Sequence, residues 1–251
     1  MNNIFFSKAI FSYMHKNASS KSEVVSEILY GEKFKILSKN KHWIKIKTSF
    51  DNYIGYIKNK NYIKQFKPTH KIYSLKAKIF TRPISKKIYE SGKCLSFATR
   101  ISSLCVRKKF IEYEKNKWIK KSDVKKNSHR EKDYLKIFNL FLKTKYVWGG
   151  KTYNGIDCSA LLQLFFFYNE KFFPRDTKEQ IKNLKKNIKK HKKGCIIFWT
   201  GHVAICVNDK NLIHAFGPKK KVLIMNIKKT ISEIKNNSKL SVMGKKNIND
   251  H

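Results

Sequence analysis

Long apolar runs are missing from this sequence of 251 residues. No window approaches the roughly 18 uninterrupted apolar residues that a membrane-spanning helix needs. The first eight residues also lack the charged leader and the apolar stretch of a secretory signal. The sequence therefore predicts no transmembrane segment, no signal peptide and a cytoplasmic location.

Cysteine is scarce as well. The five cysteines are an odd number without a close pairing pattern, which argues against a disulfide framework. A reducing compartment, in which cysteines stay free, is the simpler setting. No CxxC or HxxxH spacing occurs, so the sequence predicts neither a metal site nor a cofactor.

Acidic residues and arginine are few. The chain has 17 acidic against 56 basic residues, a net charge of +39, and only five of the basic residues are arginines. Proteins that read a nucleic-acid sequence depend on arginine for bidentate contacts. Lysine, asparagine and isoleucine are enriched together along the chain, as A/T-rich codons would produce. We therefore predict non-specific polyanion binding at most, and no specific nucleic-acid partner.

Apolar residues are abundant enough for buried cores, with a hydrophobic content of 41% that includes 18 Phe and 12 Tyr. A chain of this length is expected to form two or three compact units. Residues 9–65 contain short alternating stretches separated by turn residues, a pattern typical of a small β-barrel. Residues 66–125 repeat it in degenerate form, and Trp118-Ile119-Lys120 echoes Trp43-Ile44-Lys45.

Cys158 stands at the start of an apolar run that follows a glycine-containing turn. The run predicts a buried helix, with Asp157 or Ser159 near its first turn to satisfy free backbone N–H groups. The positive end of a helix dipole favours the thiolate, the nucleophilic form of cysteine. The alternative is a small apolar cysteine that simply packs at a helix start.

Residues 195–225 change to a period of two, which predicts consecutive antiparallel strands, and residues 240–243 are expected to close the sheet. His202 opens one strand and His214 lies in the next, so pairing brings the two histidines side by side. Next to Cys158, His202 is the candidate base and His214 the group that orients it. Either histidine alone would more often be a satisfied core residue.

These motifs together resemble the NlpC-type cell-wall cysteine peptidases, a papain-like family. The order of strands and turns near the N-terminus resembles bacterial SH3-like domains. Most of the chain is thus similar to γ-D-glutamyl-L-diamino acid endopeptidases. The pieces that carry the resemblance are Tyr146-Val147-Trp148-Gly149-Gly150, Gly155-Ile156-Asp157-Cys158-Ser159, Pro174-Arg175-Asp176-Thr177, Ile197-Phe198-Trp199, Gly201-His202-Val203-Ala204-Ile205 and Leu212-Ile213-His214-Ala215.

The resemblance implies a multi-domain fold: two small all-β SH3-like barrels (9–65 and 66–125) followed by an α+β papain-like domain (130–246). It implies hydrolysis between D-Glu and the diamino acid of peptidoglycan stem peptides. The substrates are expected to be free peptides with an N-terminal L-Ala, as in muropeptide recycling.

The resemblance also assigns residue roles. Cys158, His202 and His214 form the catalytic triad. Asp157 and Ser159 meet the substrate amine, with Glu32 and Tyr53 reaching it from the first barrel. Arg175 and Thr177 contact the D-Glu side, although Arg175 taken alone predicts a surface charge.

Two positions depart from the family pattern. Ala160 replaces a usual glycine, and Cys195 replaces a usual aspartate whose side chain would bond its own turn. Two alternatives stay open: a wall- or polyanion-binding protein with an inactive catalytic fold, and amidase or acyl-transfer chemistry on the same fold. The sequence leaves the diamino acid and the oligomeric state undetermined.

Overall fold

A computed structural model describes residues 4–81, 89–185 and 187–249. Positions 82–88, inside the predicted second barrel, lie outside the described residues. The chain divides into two compact units, Met1–Arg130 and Glu131–His251. The boundary expected near residue 65 inside the first unit stays a prediction.

The first unit consists of β-structure, as its period-two patterning predicts. Its first sheet has the strand order β3-β2-β6-β5-β4-β1-β7. The strands pair in antiparallel register, for example Ile44 with Ile57. Alternate residues therefore fill one core with side chains such as Met14, Phe34 and Ile46. The strands are β1 (Ile4–Ser7), β2 (Phe11–His15), β3 (Val24–Leu29), β4 (Lys33–Lys39), β5 (Trp43–Thr48), β6 (Ile54–Lys58) and β7 (Tyr62–Ile63).

The rest of the first unit forms a five-stranded sheet in the order β10-β9-β14-β13-β12 and a three-stranded sheet in the order β11-β8-β15. Tyr30 belongs to their core, where its ring packs edge-on against Tyr113 at 5.6 Å between ring centroids. The strands are β8 (His70–Ile72), β9 (Lys76–Thr81), β10 (Tyr89–Ser96), β11 (Arg100–Ile101), β12 (Cys105–Arg107), β13 (Phe110–Glu114), β14 (Lys117–Lys120) and β15 (Val124–Lys126), with a 3₁₀ turn at Lys121–Asp123.

The second unit has mixed α and β structure, and the predicted α+β class is confirmed. A two-stranded hairpin leads into its most buried helix, α2, which packs against β19 and β20. The helices are α1 (Tyr134–Leu140), α2 (Cys158–Tyr168), α3 (Thr177–Asn183) and α4 (Ile227–Ser238). The strands are β16 (Lys151–Thr152), β17 (Gly155–Ile156), β18 (Cys195–Trp199), β19 (His202–Cys206), β20 (Asn211–Phe216), β21 (Lys221–Asn226) and β22 (Gly244–Asn247), with a 3₁₀ turn at Gly217–Lys219.

The main sheet of the second unit is the antiparallel meander predicted from sequence, in the order β21-β20-β19-β18-β22. Trp199 pairs with His202 across the first hairpin, and Ile205 pairs with Ile213 across the second. The sequence predicts hairpin turns at Thr200-Gly201 and at residues 208–211; the structure has the first, and the second ends one residue earlier because Asn211 already belongs to β20. This register brings His202 and His214 onto neighbouring strands.

The strand expected at residues 240–243 is misplaced. The structure closes the sheet with β22, in which Gly244 pairs with Phe198. Leu240 and Val242 pack instead against the hydrophobic cluster of the sheet and α4. An apolar stretch thus contributes side chains to the core, while the lysine-bearing segment after it supplies the backbone partners for the edge of β18.

The helices within the described residues are too short or too polar to cross a membrane.

Candidate active site

The segment before α2 is a tight hairpin that leaves little room for side chains. A Cβ atom on Gly150 would lie 2.6 Å from the carbonyl oxygen of Gly155, and one on Gly155 would lie 2.2 Å from a methyl carbon of Val147. Both distances are far below normal contact. The glycines therefore permit the close approach of chain segments that delivers Asp157 to the start of α2.

Asp157, one of the two residues that the sequence offers for this position, is the N-cap of α2. Its Oδ1 accepts the Ala160 N–H at 2.7 Å, and its Oδ2 accepts the Gly149 N–H at 3.0 Å. Capping bonds of this kind satisfy the free N–H groups of a first helical turn. The cap thereby fixes the position of Cys158, the first residue of the helix.

Arg175 is buried, contrary to the surface position expected from its residue type alone. Its guanidinium binds both carboxylate oxygens of Asp157, at 3.0 and 2.6 Å, and its Nη1 donates to the Ser159 hydroxyl at 2.7 Å. Arg175 is only 2% exposed. The planar fork of arginine matches a carboxylate, which explains how the charge is accommodated inside the unit.

Cys158 lies against the hairpin that carries His202. Its Sγ is 3.9 Å from the Gly201 carbonyl oxygen and receives the backbone N–H of Val203. Cys158 and His214 also line the same small cavity between α2 and the sheet. The sulfur thus contacts the backbone on both sides of His202.

The two histidines form a hydrogen-bonded pair. His202 Nε2 lies 2.9 Å from His214 Nδ1. The His214 ring stacks on Phe216 with 4.6 Å between ring centroids and an angle of 15°. Of the three residues that the sequence predicts for a triad, His202 and His214 are thus hydrogen-bonded to each other, and the Cys158 sulfur contacts the backbone of the hairpin that carries His202.

The electrostatics differ from the sequence-based expectation. Burial, and secondarily the neighbouring Asp157 carboxylate, raises the pKa of the Cys158 thiol to about 12, even though backbone N–H groups and Arg175 act to lower it. Desolvation shifts a pKa by up to about 3–5 units, whereas a helix dipole contributes roughly 0.3–1 kcal/mol, less than one unit. The helix end favours the thiolate, as the sequence indicates, but burial outweighs it and Cys158 is a thiol at neutral pH.

Both histidines are neutral for the same reason. Burial lowers the pKa of His202 to about 4. Burial, and secondarily the charge of His202, lowers the pKa of His214 well below its ordinary value. At neutral pH the site thus holds a thiol beside an uncharged imidazole pair, an arrangement suited to general-base activation.

Tyr146 is a site residue that the sequence reasoning did not single out. Burial raises the pKa of its hydroxyl, and the nearby Cys158 and Asp157 raise it further, so the phenol stays protonated beside the sulfur. The only sequence signal was its place at the head of the tryptophan–glycine–glycine motif. Trp148 in that motif is 57% exposed.

The other predicted substrate contacts are divided between the two units. Thr177 is half-buried at the start of α3. Glu32 and Tyr53 lie in the first unit, where the Glu32 carboxylate accepts the Leu29 N–H at 2.9 Å. No group of three or more potential metal-binding side chains occurs among the described residues.

Comparison with known proteins gives two family matches. Residues 143–238 match the NlpC/P60 family, and residues 14–61 match the bacterial dipeptidyl-peptidase SH3 domain. The first match contains the cysteine, both histidines and the tryptophan–glycine–glycine motif. The second unit carries an NlpC/P60 domain.

Relatives support this assignment. A probable endopeptidase NlpC homolog of Haemophilus influenzae is 36% identical over 92 residues, which cover 34% of this chain and 49% of that protein. A gamma-D-glutamyl-L-lysine dipeptidyl-peptidase of Bacillus subtilis is 23% identical over 235 residues, which cover 84% of this chain and 78% of that protein. The chain thus spans about half of the first relative and most of the second.

A solved structure of an NlpC/P60 family protein from Bacillus cereus shares the fold. It superposes with a TM-score of 0.81 at 18% identity, covering 98% of this chain and 99% of that one. The predicted layout, an SH3-like β region followed by an NlpC/P60 domain, is confirmed.

Proposed function

We propose that this chain hydrolyses the amide bond between the γ-carboxyl of D-Glu and the diamino acid of peptidoglycan stem peptides. The contact of the Cys158 sulfur with the hairpin of the His202–His214 pair is the observation that carries the proposal. The NlpC/P60 match and the dipeptidyl-peptidase names of the relatives support the enzyme class, a cysteine peptidase. The identity of the cleaved amide bond and of the peptide substrate is the more specific part of the proposal.

The neutral site requires proton transfer during nucleophilic attack. His202 takes the proton from the Cys158 thiol as the sulfur adds to the γ-glutamyl carbonyl carbon. The Cys158 backbone N–H, free at the first position of α2, donates to the developing oxyanion. The protonated Tyr146 hydroxyl beside the sulfur is a further donor for that oxygen.

The second half of the reaction reuses the same base. His202 gives its proton to the leaving amine, which breaks the C–N bond and leaves a thioester on Cys158. His202 then removes a proton from water, whose oxygen attacks the thioester carbon. As the C–S bond breaks and the acid is released, His202 returns that proton to the sulfur. The thiol and the neutral imidazole are thereby restored.

Recognition of D-Glu is proposed to involve Arg175, Ser159 and Thr177. The Arg175 guanidinium is already bound to both oxygens of Asp157. An anionic group of the substrate therefore has to share the Arg175 guanidinium with Asp157. An Arg175→Lys variant keeps the charge but loses the fork, and we expect a raised KM.

Selection for a free N-terminal amine is proposed to rest on Asp157, Ser159, Glu32 and Tyr53. In the structure the Asp157 carboxylate has several donors already, and Glu32 also holds a turn. Because replacing Glu32 also removes its bond to the Leu29 N–H, the variant tests amine recognition only if its unfolding temperature equals that of the wild type. The recycling role and the cytoplasmic location expected from the sequence stay predictions.

The test uses the free tripeptide L-Ala-γ-D-Glu-diamino acid, in meso-diaminopimelate and L-Lys forms, with products identified by mass. We expect release of L-Ala-D-Glu by the wild type and none by Cys158→Ala. Cys105→Ala, which removes a half-buried cysteine of the first unit, is the matched control. Turnover by a folded Cys158→Ala protein would contradict the proposed nucleophile.

The same assay separates the alternatives. An N-acetylated tripeptide should resist cleavage, and cleavage at the wild-type rate would refute the free-amine requirement. Products cut at another amide, or transferred to an added amine, would indicate amidase or acyl-transfer chemistry. Peptidoglycan binding without thiol-dependent turnover would indicate a binding protein.

A further inference from the structure

Met225 occupies the far side of the histidine pair. Its Sδ lies 3.3 Å from His214 Nε2. Met225 belongs to β21, half-buried, and pairs in register with Leu212 two residues before His214. The stacking of His214 on Phe216 holds the imidazole plane, so Nε2 stays directed at the thioether.

The chemistry of the thioether decides which nitrogen of His214 carries the proton. A methionine sulfur is a weak acceptor and has no hydrogen to donate. A hydrogen bond at this contact therefore requires an N–H on Nε2. Because a neutral imidazole has one N–H, Nδ1 of His214 is then the unprotonated nitrogen.

The next contact follows from the first. His214 Nδ1, as an acceptor, faces His202 Nε2 at 2.9 Å, so His202 donates from Nε2. The lone pair of the neutral His202 ring is then on Nδ1. That nitrogen is the one left to receive the Cys158 proton.

The opposite set of tautomers would block the reaction. If His214 carried its proton on Nδ1, it would donate to His202 Nε2 and leave its own Nε2 lone pair against the sulfur lone pairs. His202 would then carry its proton on Nδ1, which is unable to accept another. His202 can therefore act as a base only when His214 carries its proton on Nε2, the nitrogen that contacts Met225.

We propose that Met225 is a positioning residue that selects the base-competent tautomer of the His202–His214 pair. Met225 acts through His214 and does not touch the substrate. The consequence for turnover rests on the proposed peptidase function, whereas the tautomer assignment does not.

Nitrogen NMR of the wild-type protein, with ¹⁵N-labelled histidine at neutral pH, tests the assignment directly. We expect a pyrrole-type Nε2 and a pyridine-type Nδ1 on both His202 and His214, assigned with His202→Gln and His214→Gln spectra. A pyrrole-type Nδ1 on either ring would overturn the proposal. This readout needs no substrate, so it is independent of whether the chain cleaves the tripeptide.

Substitution at Met225 tests the cause. Met225→Leu keeps the apolar volume and removes the acceptor, so the pyrrole-type Nε2 signal of His214 should weaken and kcat should fall about three- to tenfold with little change in KM. Met225→Gln supplies an oxygen acceptor at similar reach and should restore both. Unchanged tautomers in folded Met225→Leu would refute the role of the sulfur.

Met243→Leu is the matched control. The Met243 Sδ accepts the Thr200 hydroxyl at 3.4 Å, so the substitution also removes a thioether acceptor, but one outside the histidine pair. We expect wild-type histidine spectra and wild-type kcat. An equal loss of kcat in Met225→Leu and Met243→Leu would contradict a specific role for Met225.

Discussion

Cys158 is subject to two opposing influences at the start of α2. The helix dipole and backbone N–H groups favour its thiolate, while burial and the adjacent Asp157 favour the thiol. Burial is the larger influence, because removing a charge from water costs more than the partial charge of a helix end returns. His202 is half-buried, and desolvation lowers its pKa to about 4, so it is a neutral base at neutral pH.

The neutral state of the site predicts the pH dependence of catalysis. Because the pKa of His202 is about 4, we expect kcat/KM to be level through neutral pH and to fall only as the pH approaches 4. Below that value His202 is protonated and unable to accept the thiol proton. A pH–rate profile measures this, and an acid limb centred near the ordinary histidine value would contradict it.

The same shift predicts the pH dependence of stability. The unfolded chain protonates His202 near pH 6.5, but the folded chain does so only near pH 4, so the unfolded state binds more protons in between. The free energy of unfolding should therefore decrease by roughly 3 kcal/mol from this residue as the pH falls through that window. Urea unfolding at several pH values measures the decrease, which should be smaller in His202→Gln.

At the scale of elements, the hairpin β16–β17 and the start of α2 depend on each other for their positions. The hairpin glycines allow the close approach, Asp157 caps the helix, and Arg175 from the segment before α3 binds the cap. A buried charge needs its partner and its hydrogen bonds. The position of Cys158 therefore depends on a segment that lies well away in sequence.

Removal of Arg175 should expose this dependence. We expect Arg175→Met to lower the free energy of unfolding by about 3 kcal/mol, because the Asp157 charge stays buried without its ion-pair partner. Lys182→Met, which removes the exposed partner of Glu179, should cost less than about 1 kcal/mol. Urea unfolding measures the free energy of unfolding of both variants. Similar losses in the two would mean that the buried Asp157–Arg175 pair contributes little to stability.

The double variant Asp157→Asn/Arg175→Met tests whether the unpaired Asp157 charge causes the loss. Because it removes both charges, we expect it to be more stable than Arg175→Met alone.

Glycine substitutions test the hairpin. Gly150→Ala places a Cβ 2.6 Å from a carbonyl oxygen, whereas Gly201→Ala, at φ +72°, meets no atom within 4 Å. Gly150→Ala requires the backbone to shift and should lower the free energy of unfolding by more than about 2 kcal/mol. Gly201→Ala adds only the strain of a left-handed backbone conformation and should lower it by about 1 kcal/mol. Thermal unfolding measures the loss of stability in each variant. A larger loss in Gly201→Ala than in Gly150→Ala would contradict the interpretation that Gly150 is needed for the close approach of the two chain segments.

At the scale of the whole molecule, the dominant property is charge. The net charge of +39 is mostly lysine, and the exposed lysines lie on both units. A dispersed lysine surface attracts any polyanion without reading its sequence.

This charge predicts salt-sensitive, sequence-independent binding. Duplexes of unrelated sequence should bind with equal affinity at low salt, and that affinity should fall by at least about tenfold between 50 and 200 mM salt. Fluorescence anisotropy measures both quantities. A strong preference for one duplex would refute the prediction that no specific nucleic-acid partner exists.

The sequence by itself determined the β-rich N-terminal half, the cysteine-bearing helix with a cap at Asp157 or Ser159, and the histidine-bearing meander. These features follow from local periodicity, turn residues and capping, which are written in neighbouring positions. Only the tertiary structure decided the closure of the sheet by β22, the burial of Arg175, the neutral state of Cys158 and His202, and the contact of Met225 with His214. Each of these depends on which distant segment excludes water from a group or supplies its partner, and no local pattern records that.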